Sequence, residues 1–170
     1  MVAAGQNEVS WYRRFRSAAY ASAVGSLFWT AIIVVPFPPF SYLPPIIVGG
    51  GPGTWFILAY LLLLTIGVGG LGAISSFLHT IELHEKRSVS SSAMWPAYVL
   101  LVVGLVSSCV MLALAGAIGG YASTIVGGSE NSIDSLLSPY VYPITASTLV
   151  TVLGAALALS AMVRARWPAV

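Results

Sequence analysis

Four long apolar stretches dominate the chain, near 17–35, 54–82, 94–121 and 143–163, and polar, proline-rich or glycine-rich stretches separate them. Each holds about 20 residues or more, enough at about 1.5 Å per residue to cross a hydrocarbon core of about 30 Å. The pattern predicts an all-α, polytopic membrane protein. Residues 1–170 form one integral membrane domain, a four-transmembrane-helix bundle with outer loops at 36–53 and 122–142. The first apolar run follows Arg13, Arg14 and Arg16 as a secretory leader would, but at about 19 residues it is longer than a typical leader core. Pro36-Phe37-Pro38-Pro39-Phe40 follows it in place of a small-residue cleavage site, so it is read as a retained helix.

The loop at 36–53 carries six prolines and four glycines around Ile46, Ile47 and Val48. Proline removes a backbone donor and fixes φ, so neither helix nor ladder is expected there. A compact apolar flap, lying on the outer surface or against a neighbour, is. In the second outer loop a short surface helix is expected over 132–137, with Glu130 and Asp134 as hydrated acids. The two halves share hairpin topology but no alignable motif, so an inverted repeat has no support.

The second apolar run places Thr65, Gly69, Gly72, Ser76 and His79 at spacings of four and three, one narrow face of an α-helix. Ala21 and Gly25, Gly104 and Ser108, Gly116 and Gly120, and Gly154 and Ala158 repeat the arrangement in the other runs. Helix association in lipid relies on close packing, so these faces are read first as packing within the bundle and second as an oligomer or partner interface.

Charge fixes the expected orientation. All seven basic residues fall before the first span, between the second and third, or after the fourth, and the outer loops hold none. With an even number of spans, the positive-inside rule puts both termini in the cytoplasm, and a plasma membrane is the expected location. Trp11, Tyr12, Trp95 and Trp167 then mark one interface, and Phe37, Phe40, Tyr42, Trp55, Tyr121, Tyr140 and Tyr142 the other. Composition agrees, with 58% hydrophobic and 7% charged residues, against roughly 25% charged in soluble domains. Seven basic and five acidic side chains make no nucleic-acid footprint, and one cysteine makes neither a disulfide nor a thiolate zinc site.

Ionisable chemistry concentrates in His79-Thr80-Ile81-Glu82-Leu83-His84-Glu85-Lys86-Arg87. At about 44 Å the second helix outreaches the hydrocarbon core, so this cluster is expected at the boundary. His79 and Glu82, at i and i+3, can touch, and a carboxylate beside an imidazole suits proton transfer or ligation. His84 lies about 140° further round a straight helix and cannot share an ion with His79. Ligation would draw on other helices at that depth: Tyr20, Met94, Tyr98 and Met162. His79, Glu82, Met94 and Met162 are therefore the candidate cofactor-binding set, with haem the candidate cofactor. The competing reading is a charge-compensated helix end, with Lys86 and Arg87 favoured by the helix dipole and Ser92 capping the third helix. Cys109 is expected to be buried and inert, and Ser107, Ser108, Thr145, Thr148 and Thr151 to bond to their own helices or across the bundle.

No family resemblance emerges, and no catalytic residue is nominated. The leading expectation is a non-catalytic subunit or assembly partner of a larger membrane complex, with a respiratory complex the leading setting. Its partners are then the bilayer and either other subunits or further copies. The alternatives are a haem- or metal-binding electron- or proton-transfer protein using His79, and a small oligomeric transporter or channel for a neutral solute.

Overall fold

The computed structural model describes residues 10–167. Five helices account for nearly all of them: α1 (Trp11–Val34), α2 (Leu43–Val48), α3 (Gly51–His84), α4 (Ser91–Thr124) and α5 (Glu130–Arg166). The described residues contain no strand, and α1, α3, α4 and α5 are each long and apolar enough to cross a bilayer. The expected four-span fold is thus the observed one.

Every span is longer than its apolar run. α1 takes in the arginines before Ser17, and α4 starts at Ser91 after Ser90, whose hydroxyl lies 2.8 Å from that of Ser92, so Ser92 does not cap it. The largest departure is α5, which begins at Glu130 and runs unbroken through Pro139 and Pro143, absorbing the expected loop and its surface helix. Pro139 leaves the Ser135 carbonyl without its helical donor, and the Ser138 hydroxyl donates to that carbonyl at 3.3 Å. In the first loop the expectation of no helix also fails. Pro44 and Pro45 occupy the first turn of α2, where a missing N–H is harmless, and the Leu43 and Ile46 side chains are buried beneath it. The apolar flap is real and lies against α4 of its own chain.

The helices pack mainly on their neighbours in sequence, α1 on α3, α3 on α4, and α4 most extensively on α5. Glycines set the closest approaches. A Cβ on Gly154 would meet the Leu101 backbone nitrogen at 2.4 Å, and one on Gly104 would meet that of Thr151 at 2.6 Å, so the α4–α5 seam is built reciprocally. Gly116 meets Phe56 of α3 in the same way, and Gly120 meets Ile46 of the flap. Ser108 donates to the Ser147 hydroxyl at 3.0 Å across the seam, and the Cys109 thiol donates to the Ala59 carbonyl.

All four long helices converge at one end, around Phe15 and Ala19 of α1, Leu71 and Leu78 of α3, Met94, Leu101 and Leu105 of α4, and Ala158 and Met162 of α5. This is the end that carries Ser10 and Trp167, here called the termini end. At the opposite, loop end the flap stands between α1 and α4.

α3 is not wound as an α-helix throughout. Leu63–Gly70 and Thr80–His84 follow i→i+5 hydrogen bonding, which adds about one residue per turn and breaks the three-and-four spacing across them. Gly67 is therefore the residue that approaches α1, where an added Cβ would meet the Ser22 hydroxyl at 2.8 Å. The expected packing face is turned away from the bundle instead. Thr65, Gly69 and Ser76 are exposed, and a Cβ on Gly72 would find no other atom within 4 Å.

Candidate functional site

The ionisable cluster at the end of α3 fastens the termini end of the bundle. Glu82 Oε1 accepts the backbone N–H of Trp11 at 3.1 Å, placing a carboxylate on the first turn of α1, where free N–H groups and the helix dipole favour it. The Trp11 indole donates to the Ser91 hydroxyl at 3.2 Å, and the buried Ser75 hydroxyl donates to the Tyr12 carbonyl at 2.8 Å. The Arg87 guanidinium donates to the carbonyls of Ala165 and Arg166 at the C-terminus of α5, and Glu85 pairs with Arg166 at 3.4 Å. One short segment thereby holds the first turn of α1 and the last turn of α5, and Trp11 in turn ties α1 to the start of α4. Around it Arg14 lies over the Trp11 and Trp95 rings, at 4.8 and 5.3 Å from their centroids.

The candidate cofactor-binding residues divide between different surroundings. His79 lines a recess of ≈ 320 Å³ with Tyr12, Arg16, Ser75, Ser76 and Thr80. Glu82 lines another, of ≈ 340 Å³, with Trp11, Tyr12, Leu83 and Lys86 among others. Tyr12 is common to both recesses, and neither is lined by Met94 or Met162. Those two methionines are 0% and 6% exposed within the apolar core. Tyr20 is exposed on α1, and Tyr98 packs against the rings of Trp11, Phe15 and Trp95. The structure therefore does not bring His79, Glu82, Met94 and Met162 into one recess.

The two histidines, by contrast, are closer than a straight helix allows. The π-wound turn over Thr80–His84 returns position i+5 towards the face of position i, and the His79 and His84 ring centroids lie 5.8 Å apart, edge to face. Tyr12 closes the other side of His79, its ring centroid 5.1 Å away. Among the described residues, no three His, Cys, Asp or Glu side chains gather where they could hold a metal ion.

No family model matches the chain, and no curated protein or solved structure does.

Sequence reasoning overlooked a second feature, at the loop end. α1, the flap, α3 and α4 enclose a wedge of ≈ 840 Å³, and Trp29 forms part of its wall. The Trp29 indole Nε1 is the buried side-chain polar atom left without a hydrogen-bond partner among the described residues. A signal was available in the sequence, since Trp29 is the one tryptophan inside an apolar run rather than at its edge.

Proposed function

We propose that the protein is a non-catalytic integral subunit or assembly partner of a larger membrane complex, joined to that complex through the outward face of α3. One observation carries the reading. In a strip along α3, Thr65, Gly69 and Ser76 are exposed on the outside of the bundle and a Cβ on Gly72 would meet nothing there, whereas Gly104, Gly116 and Gly120 of α4 and Gly154 of α5 are consumed in internal contacts. Small residues allow close helix–helix approach in lipid, where lipid tails are as apolar as leucine and burial alone drives nothing. The strip's hydroxyls are already used, Thr65 donating to the Leu61 carbonyl and Ser76 to that of Gly72. The strip thus offers van der Waals packing to a partner helix, and no polar group needs to be satisfied by it. Extraction from the native membrane in mild detergent, followed by separation by size, tests this. A stoichiometric partner, or a second copy, accompanies the chain if the reading is right, and a lone monomer refutes it.

A second reading, transition-metal binding at His79, is favoured by the approach of His84 through the π-wound turn. Imidazole is a good ligand for copper, zinc and nickel, and two rings on one turn supply two donors. Metal analysis of natively extracted protein decides it, with bound metal lost in both His79→Ala and His84→Ala as the supporting result.

A further inference from the structure

We propose that the recess between α1 and α3 at the termini end binds the headgroup of an anionic phospholipid of the phosphatidylglycerol class, with its phosphate on Arg16 and His79 and its glycerol hydroxyls on Ser76 and Thr80. The recess has ≈ 320 Å³, walled by Tyr12 and Arg16 of α1 and by Ser75, Ser76, His79 and Thr80 of α3. That is the low end of the roughly 300–1,000 Å³ usual for small-molecule sites, enough for a headgroup whose acyl chains stay outside. Tyr12 is the fixed wall, since it is buried and the Ser75 hydroxyl donates to its carbonyl at 2.8 Å. The His79 ring stands edge to face with the Tyr12 ring at 5.1 Å, and the Arg16 guanidinium lies over that ring, 5.4 Å from its centroid.

The polar groups of the recess are of two kinds. Among the described residues no carboxylate pairs with Arg16, and neither Arg16 nor His79 makes a side-chain hydrogen bond to the protein. Their N–H groups are available to an anion, and a guanidinium matches phosphate oxygens in geometry as well as charge. Ser76 and Thr80 are the opposite case. Each hydroxyl donates to a carbonyl of its own helix, at 3.0 Å to Gly72 and 3.2 Å to Ser76, so what it offers a ligand is an oxygen lone pair. A ligand that satisfies both kinds carries an oxyanion beside hydroxyl donors. Phosphatidylglycerol carries them on one headgroup. Phosphatidic acid lacks the hydroxyls, and the ammonium of phosphatidylethanolamine would add a cation next to Arg16. Depth agrees, because Arg16 precedes Val34, the other end of α1, by 18 positions or about 27 Å, close to the thickness of a hydrocarbon core of about 30 Å. Arg16 therefore reaches the edge of the hydrocarbon, where phosphates lie. From it Tyr20, Val24 and Leu27, all exposed, continue at spacings of four, four and three along one face of α1 and give the acyl chains an apolar track.

The test uses the full chain, delipidated in dodecyl maltoside with EDTA present to remove metal, and counts bound lipid by native mass spectrometry during titration. Saturable binding of one phosphatidylglycerol per chain is the expected result. Arg16→Gln deletes the charged donor and should weaken that binding about tenfold, as loss of a charge-assisted hydrogen bond implies. Arg164→Gln removes the same charge from the same end of the molecule but outside the recess, and should leave binding unchanged. Phosphatidic acid should bind the parent about threefold more weakly than phosphatidylglycerol, and Thr80→Val, which keeps the shape but deletes an acceptor, should erase that preference. Arg16 and Thr80 are exposed, so both variants should fold as the parent does. Equal losses in Arg16→Gln and Arg164→Gln overturn the proposal, because binding then follows net charge alone. So does phosphatidic acid that binds the parent as tightly as phosphatidylglycerol, or lipid uptake that never saturates. Glycerol 3-phosphate, the same phosphate chemistry without acyl chains, should not displace the lipid at equal concentration. If it does, the recess serves a soluble phosphate ester and the lipid assignment fails.

Discussion

Alanine at Gly154 and alanine at Gly72 are the same chemical change with opposite expected signs. At Gly154 the new methyl would lie 2.4 Å from the Leu101 nitrogen, 2.7 Å from its Cα and 2.8 Å from its Cβ, against 3.4–4 Å for ordinary contact. Two of these three atoms are backbone, so rotation of a side chain cannot relieve the clash and the helices must part by about 1 Å. A gap of that size forfeits roughly a quarter to a half of each dispersion contact across it, and overpacking of this kind costs about 1–3 kcal/mol. Taking the upper figure for a backbone obstruction and subtracting about 1 kcal/mol for alanine's better helix propensity leaves a net loss of about 2 kcal/mol. At Gly72 nothing lies within 4 Å, so only the propensity term acts and the variant gains about 0.5–1 kcal/mol. Reversible unfolding in mixed micelles titrated with sodium dodecyl sulfate, followed by far-UV circular dichroism, measures both. A Gly154→Ala protein as stable as the parent, or a Gly72→Ala monomer less stable than it, would refute this account of the packing.

Other expectations follow from the termini end and the α4–α5 seam. Glu82→Ala removes the acceptor at the start of α1 and should cost about 1 kcal/mol in the same titration, within the usual range for a helix cap. Lys86 ends α3 with φ of 51°, and the Arg87 N–H then reaches the Ile81 carbonyl. Gly127 performs the equivalent turn after α4, with φ of 69° and the Gly128 N–H on the Ala122 carbonyl. Lys86→Gly should therefore stabilise the protein by about 1 kcal/mol, since a side chain is penalised in the left-handed region, and a loss of stability would contradict the assignment of that turn. Ser108→Ala breaks a cross-helix hydroxyl pair and should cost about 0.6 kcal/mol, a typical value for such pairs in membrane bundles, read as a shift in the unfolding midpoint.

The span count was legible because the length of an apolar run is a direct statement about a bilayer, and no tertiary detail overrides it. The small faces of α4 and α5 were legible for a related reason: Gly104, Gly116, Gly120 and Gly154 lie in regularly wound helix, where spacing translates into direction. In α3 the same inference failed. Two π-wound stretches rotate everything beyond them, which turned the expected packing strip outwards and brought His84 back beside His79. The true extent of α5 was hidden because proline reads as a helix breaker, and the compensating donor, the Ser138 hydroxyl, is identifiable only once the helix exists. The acidic and basic residues after His79 were half legible. Their compensation at a helix end was expected, but their attachment to the ends of α1 and α5 depends on which helices meet there. The wedge depends on how far α1 and α4 separate, which no local pattern encodes, although the position of Trp29 marked its wall.

The central claim is that α3 presents its small-residue strip to a partner. Gly72→Leu tests it most directly, because the added side chain enters open space in the isolated bundle yet obstructs any helix packed on the strip. Parent and variant, expressed at native level and extracted in mild detergent, are compared by native electrophoresis and quantitative mass spectrometry. The account predicts a parent that migrates with stoichiometric partner subunits or a second copy, and a Gly72→Leu protein equally well folded but alone. A variant that retains the same partners in the same ratio would contradict it.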